Sequence, residues 1–299
     1  PLLLAGDKSS LVQAVTRSCR IKAQVVASDE RVMLAMRQRL EIVSQLQVAG
    51  NPAALLCKTP PGGPGRLRRP DHAGLAGRPD VDDRFAHLFE GEARLLADAQ
   101  GCFAARGFVT IVADYRLVPE VRFPAFVQDG ALAVKWARDH VAEFGGDPKR
   151  ISLAGHSAGA YEAAMLALDP HYLRDAGVDP KIVRAAALLS APTDFYPFTE
   201  MRGRDALGAW PKPRETQPIS FARADAPPIL LMHGTADTVV RPYNSEHLAA
   251  KLTRLGATAG LRLYPGKNHV DLVKSLSPLF RGTTPALADS VAFLDAHSR

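Results

Sequence analysis

Ile151-Ser152-Leu153-Ala154-Gly155-His156-Ser157-Ala158-Gly159 runs from a short apolar strand, through a sharp turn, into a helix-forming stretch. A serine at such a strand-to-helix turn sits in strained backbone, with its hydroxyl pushed out above the sheet edge. Side chains two residues to either side would collide, which explains glycine at both 155 and 159. The helix that follows sets backbone N–H groups and a positive dipole end beside that hydroxyl.

Outward from this turn, strand and helix signals alternate. Phe108 to Ala113 reads as a buried strand, and Phe126 to Phe144 as a helix with Ala131, Val134, Ala137 and Val141 on one face. Gly145-Gly146-Asp147-Pro148 stops that helix. Strands are predicted at 151–154, 185–189, 228–232 and 261–264, and helices at 158–168, 245–255 and 286–296. Continuous apolar strands alternating with helices predict a mostly parallel sheet covered on both faces, an α/β fold. Ligands of such sheets bind beyond the carboxyl ends of the strands.

The first third does not join this rhythm. Residues 1–80 hold 12 Lys/Arg against 6 Asp/Glu, whereas the rest of the chain holds 25 of each. All 20 aromatic residues lie from Phe85 onward. A basic leader with no aromatic to stack a base, and no zinc-finger or helix-turn-helix spacing, argues against a nucleic-acid role. No run approaches a membrane span. Leu2-Leu3-Leu4-Ala5 is too short for a signal-peptide core and lacks a basic lead-in. Cys19, Cys57 and Cys102 are scattered without metal-ligand spacing, which predicts unpaired thiols in a reducing cytoplasm. The expected division is therefore an atypical, basic, aromatic-poor region over 1–100 and an α/β core over 101–299. Val32 to Val48 has the pattern of one amphipathic helix, and Pro60 to Pro70 reads as irregular chain. Within the core, 195–226 is an insert rich in Phe, Pro, Arg and Trp, expected to form a lid or pocket wall.

A serine hydroxyl is a poor nucleophile near neutral pH. It needs a base to take its proton, and the base needs an acid to fix its tautomer. Ser157, Asp237 and His269 each follow a predicted strand, so three distant segments would meet on one sheet edge. Asp194, after the 185–189 strand, is the rival acid. His233 reads as a structural strand-end histidine, Asp271 as a solvated or helix-capping acid, and Asp114 with Arg116 as a pair pinning the loop after the first strand of the core. The Ala158 N–H is the candidate oxyanion donor. His156, Tyr161, Phe195, Tyr196, Phe198 and Trp210 are the candidate pocket residues, and no metal site is expected.

The stretch from about Phe103 to the end resembles the α/β-hydrolase superfamily, in the esterase/lipase branch that includes hormone-sensitive-lipase-like and BD-FAE-type carboxylesterases. The resemblance rests on Asp114-Tyr115-Arg116-Leu117-Val118-Pro119-Glu120, Phe123-Pro124-Ala125, Gly145-Gly146-Asp147-Pro148, the serine turn, the His233-to-Asp237 loop and Asn268-His269. The order Ser, Asp, His along the chain is that of the superfamily. The resemblance implies an α/β-hydrolase fold and cleavage of small or medium carboxylic esters through an acyl-serine intermediate, with no cofactor or metal. The partner it implies is a small-molecule ester. Arylformamidases look similar over these residues and use the same triad.

One departure is large. The branch normally carries an apolar strand, before the Asp-Tyr-Arg strand, that ends in a glycine turn supplying a second oxyanion donor. Here Gly62-Gly63 sits among prolines with no strand signal leading into it. The N-terminal strands are therefore expected to be incomplete or irregular. The composition of residues 45 to 100 predicts that they do not encode the family's segment, as a shifted reading frame or a diverged pseudogene would produce; the alternative is a genuine but unusual N-terminal half. A folded but catalytically impaired binding protein is the alternative that this departure raises.

Overall fold

The computed structural model describes residues 23–26, 53–58, 102–113 and 115–298. The 1–22, 27–52 and 59–101 stretches, with the Val32–Val48 pattern and Gly62-Gly63, lie outside the described residues. Seven strands form one sheet in the order β1-β3-β2-β4-β5-β6-β7. They are β1 (Ala23–Val26), β2 (Ala53–Lys58), β3 (Phe108–Ala113), β4 (Ile151–His156), β5 (Val183–Leu189), β6 (Ile229–Gly234) and β7 (Ala259–Tyr264). From β4 to β7 every neighbouring pair is parallel. Strands β1 and β2 run antiparallel to their neighbours. The mostly parallel sheet read from the sequence is present.

The helices follow the sheet's two apolar faces. They are α1 (Ala125–His140), α2 (Ala158–Leu168), α3 (Pro170–Asp175), α4 (Met201–Leu207), α5 (Tyr243–Arg254), α6 (His269–Lys274) and α7 (Ala286–His297). Strand residues alternate between faces. Ile229 and Leu231 of β6 join the cluster that packs α1, α2, α3 and α5, whereas Leu230 and Met232 join the cluster that packs α6 and α7. Helix α2 is the most enclosed: every residue from Gly159 to Leu168 is buried. Met165, Leu166 and Leu168 each contribute about 1.5–3 kcal/mol by leaving water. No helix among the described residues is long and apolar enough to cross a membrane.

Several boundaries differ from the sequence reading. The 126–144 helix ends at His140 and tightens into a 3₁₀ turn over Val141–Phe144, which Gly145 closes with φ 78°. The short helices α3, α4 and α6 were not expected; each is six or seven residues long, too short for apolar periodicity to register. A correction also applies to the 45–100 stretch. It does contribute a strand, β2, which fills the slot between β3 and β4. Ala53 to Lys58 is a short run without alternation, so its pattern did not mark it as a strand. Its direction is opposite to that of β4: Ala53 lies beside Gly155, and Cys57 beside Ile151. The chain therefore leaves β2 at the amino-end rim of β4, away from Ser157.

Candidate active site

Ser157 follows β4 directly and has φ 54° and ψ −119°, one of two non-glycine residues with positive φ among those described. The turn is held because Ser157 N–H donates to Leu189 O at 3.0 Å and Tyr161 N–H returns to Ser157 O at 3.0 Å. Gly155 is required for the same reason the sequence suggested. A Cβ there would meet the Gly159 carbonyl and would lie 2.6 Å from Ala160 N. Strand and helix touch backbone to backbone at the turn.

Asp237 lies three residues past β6, and His269 opens α6 five residues past β7. A second close approach brings their loops together, since a Cβ on Gly234 would strike the Lys267 carbonyl. Ala236 N–H donates to Lys267 O, and Thr235 N–H to Tyr264 O, each at 3.0 Å. His269 itself is seated by a capping box. Asn268 Oδ1 accepts from the N–H groups of Val270 and Asp271, and Asp271 Oδ2 accepts from Asn268 N–H. Asp271 is thus the capping acid.

The three side chains meet. His269 Nδ1 lies 2.8 Å from Asp237 Oδ2, and His269 Nε2 lies 2.9 Å from Ser157 Oγ. A carboxylate only accepts, so Nδ1 carries the proton and Nε2 accepts from the serine hydroxyl. Asp237 is buried, and its other oxygen accepts from Val239 N–H and Val240 N–H at 2.9 Å each. Burial pushes its carboxyl up. The hydrogen bonds from His233, His269 and Val240 outweigh that and hold it well below the usual carboxylate range. His233 is the structural strand-end histidine. Its Nε2–H donates to Val240 O at 2.9 Å and lies 3.3 Å from Asp237 Oδ2, and its Nδ1 accepts from Ser245 Oγ at 2.7 Å. The rival acid Asp194 points elsewhere: its carboxylate pairs with His247 Nδ1 at 2.7 Å. The expected Asp114–Arg116 pairing involves Asp114, which lies outside the described residues; Arg116 forms a two-pronged pair with buried Asp129, at 2.9 and 2.7 Å.

Ala158, at the first position of α2, is exposed. Phe195, Phe198 and Trp210 are half-buried and Tyr196 is exposed. Tyr161 is buried and donates its hydroxyl to Thr216 O at 2.8 Å. Ring contacts join these aromatics into one row, Trp210–Phe123–Phe126–Tyr161–Phe195–Phe198–Tyr196, with neighbouring centroids 5.1 to 6.2 Å apart. Phe123 and Phe126 were not named as pocket residues from sequence, where Phe123 stood only in a family-like segment and Phe126 only at a helix start. His156 is buried, and its Nε2–H donates to His269 O at 2.8 Å. Burial and the neighbouring His269 lower the pKa of His156 to about 3. Among the described residues no group of three or more His, Cys, Asp and Glu is placed to hold a metal ion.

Residues 90–252 match the family described as BD-FAE. Among curated proteins the chain is similar to Esterase LipQ of Mycobacterium tuberculosis, 30% identical over 185 residues that cover 54% of this chain and 42% of that protein. It is also similar to isoprenylcysteine alpha-carbonyl methylesterase ICME of Arabidopsis thaliana, 28% identical over 214 residues, 64% of this chain and 50% of that protein. The matches to the first of these relatives span about half their length or less. Among solved structures, apo esterase 2 of Thermogutta terrifontis is 29% identical with a TM-score of 0.53, covering 65% of this chain and 72% of that one. The same esterase phosphorylated by paraoxon gives 27% and 0.57, covering 69% and 76%.

Proposed function

The chain belongs to the BD-FAE family, and we propose that it is a serine hydrolase cleaving small or medium carboxylic esters through an acyl-serine intermediate. The observation that carries this reading is the unbroken relay from Ser157 Oγ through His269 to the buried Asp237. Ser157 attacks the ester carbonyl while His269 Nε2 takes its proton. The developing oxyanion is met by the Ala158 N–H at the start of α2, where the helix dipole adds its positive end. His269 then gives the proton to the leaving alcohol, and the reverse sequence with water frees the acid and restores the serine. Asp237 holds His269 in the Nδ1–H tautomer and stabilises its charged form; the four donors around its carboxylate keep it ionised throughout. The names of the relatives, esterases and methylesterases, support the same chemistry.

The aromatic row supplies the pocket wall in this reading, with Phe195, Tyr196, Phe198 and Trp210 as its insert-borne part. The insert is pinned as a wall more than hinged as a lid. Arg223 Nε and Nη2 grip the carbonyls of Leu168 and Ala167, Lys251 Nζ holds Ile219 O, and Gln217 Oε1 accepts from Phe195 N–H. The scattered cysteines support a reducing, cytoplasmic setting.

One observation favours a second reading, that of an impaired hydrolase. Strand β2 runs antiparallel to β4, so its carboxyl end lies at the rim away from Ser157 and offers no second oxyanion donor there. Loss of such a donor lowers turnover about 10²–10³-fold. Hydrolysis of p-nitrophenyl butyrate and of N-formylkynurenine by the wild type and by Ser157→Ala separates the cases. Ester turnover lost in Ser157→Ala is expected. Turnover of the formyl amide alone makes it a formamidase, and no turnover of either by folded protein sinks the enzyme reading.

A further inference from the structure

The bonds that seat the histidine loop fall into two groups. Thr235 and Ala236 N–H donate to Tyr264 and Lys267 carbonyls, Thr235 Oγ1 accepts from Gly266 N–H, and Gly234 packs on Lys267. All of these tie the loop to β6 and the segment that bears Asp237. They fix the distance between acid and imidazole. They do nothing to fix the distance between imidazole and nucleophile, which sits on another strand.

His156 makes the other kind of tie. It ends β4, precedes Ser157 in the chain, and its Nε2–H reaches the main-chain oxygen of His269 at 2.8 Å. The two imidazole rings also pack on one another, centroids 4.7 Å apart. We propose that His156 is a positioning residue: its bond to the His269 carbonyl couples the nucleophile strand to the histidine loop and sets the reach between Ser157 Oγ and His269 Nε2. This rests on the relay described above, and it assigns a role within it that the three relay residues do not fill. The bond needs a hydrogen on Nε2, which both the neutral tautomer and the cation have. The ring is buried next to His269 and near His233 and Asp237, and its low pKa keeps it uncharged near neutral pH. A charge at 156 would oppose the imidazolium that His269 must become. A buried neutral donor holds the carbonyl without that conflict.

The chemistry predicts which replacements serve. Glutamine places an amide N–H near the position of Nε2, asparagine places it short, and leucine removes it. Initial rates on p-nitrophenyl butyrate are to be measured for all three, with the downfield proton resonance of the His269 Nδ1–H···Asp237 bond and the thermal midpoint as companions. His156→Leu is expected to lower kcat about 10- to 100-fold, the range set by sub-ångström misplacement of reacting groups, with KM within about twofold. The downfield resonance persists because the Asp237 ties are intact. His156→Gln is expected to recover most of the rate, and His156→Asn little of it. If His156→Leu does not fold, the contrast between the Gln and Asn variants decides. A His156→Leu rate within threefold of wild type, or Gln and Asn variants equally impaired, overturns the proposal. Ser157→Ala in the same assay keeps the two readings apart. Activity that survives Ser157→Ala rejects the relay itself. Activity lost there but untouched by His156→Leu rejects only the positioning role.

Discussion

Gly155→Ala is a one-carbon change at the point where the sheet meets the serine-bearing turn. The added Cβ would lie 2.6 Å from Ala160 N, with the Gly159 carbonyl closer still. Ordinary contact begins at 3.4 Å, so β4 and the first turn of α2 must separate by more than about 0.8 Å. The obstructing atoms are backbone, and no rotamer change can clear them. Overpacking of this kind destabilises by about 1–3 kcal/mol, or roughly 2–4 °C of midpoint per kcal/mol in a chain of this size class. The larger effect is on geometry. Ser157 rides on the displaced turn, whereas His269 is anchored to β6 and β7, so the 2.9 Å hydrogen bond is stretched or lost. A misplacement near 1 Å costs on the order of 10²-fold in rate. The assay is kcat/KM on p-nitrophenyl butyrate beside a thermal melt, with Gly145→Ala as control. Gly145 has positive φ, 78°, and nothing lies within 4 Å of its added Cβ. That variant should lose about 1–2 kcal/mol from left-handed strain and no activity. A Gly155→Ala enzyme within threefold of wild type, with an unchanged midpoint, would falsify the claim that this packing fixes the nucleophile.

Other perturbations test separate parts of the account. Asp237→Asn keeps an oxygen for Val239 and Val240 N–H but turns an amide N–H toward His269, so kcat should fall about 10⁴-fold with little change in KM, as a reversed tautomer does in other triads. Arg116→Met strands the buried Asp129 carboxylate and should cost about 3–5 kcal/mol in a urea titration, part of it recovered in an Arg116→Met/Asp129→Leu double variant. Burial, helped by Asp129, raises the pKa of Glu162 well above the ordinary value near 4.5. The folded state then binds the proton more tightly than the unfolded chain does, so stability is lost as pH rises above about 4.5 toward the raised value. Glu162→Gln has no such proton to lose. Its stability relative to wild type should climb by about 1.4 kcal/mol per pH unit across that window, and a flat difference between pH 5 and 7 would show that the carboxyl titrates normally.

The Ser157 turn was legible because its constraints are local: strand, two glycines and helix occupy nine consecutive residues, and the close approach at Gly155 has a fixed sequence footprint. Asp237 and His269 were legible because each follows a strand whose apolar run is unbroken or nearly so, and strand ends of a parallel sheet share an edge. His156 was read only as a pocket residue, and the fold alone shows that its partner is a main-chain oxygen 113 residues away. The pairing of Arg116 with Asp129 was missed for the same reason, since Asp129 comes from α1, thirteen residues further along the chain. Strand β2 escaped because Ala53 to Lys58 offers a weak pattern, and pairing direction leaves no mark in a single strand's letters. The aromatic row mixes positions from the loop before α1, from α1, from α2 and from the insert, whose spacing along the chain follows no helical or strand period.

The relay is tested most directly by adduct mapping with a fluorophosphonate. Intact mass followed by peptide digestion should find one phosphonyl group, on the Ser157 hydroxyl, in the wild type. It should find none in Ser157→Ala, and much slower labelling in His269→Ala. A natively folded wild type that takes no label, or takes it on another serine with Ser157 untouched, contradicts the account.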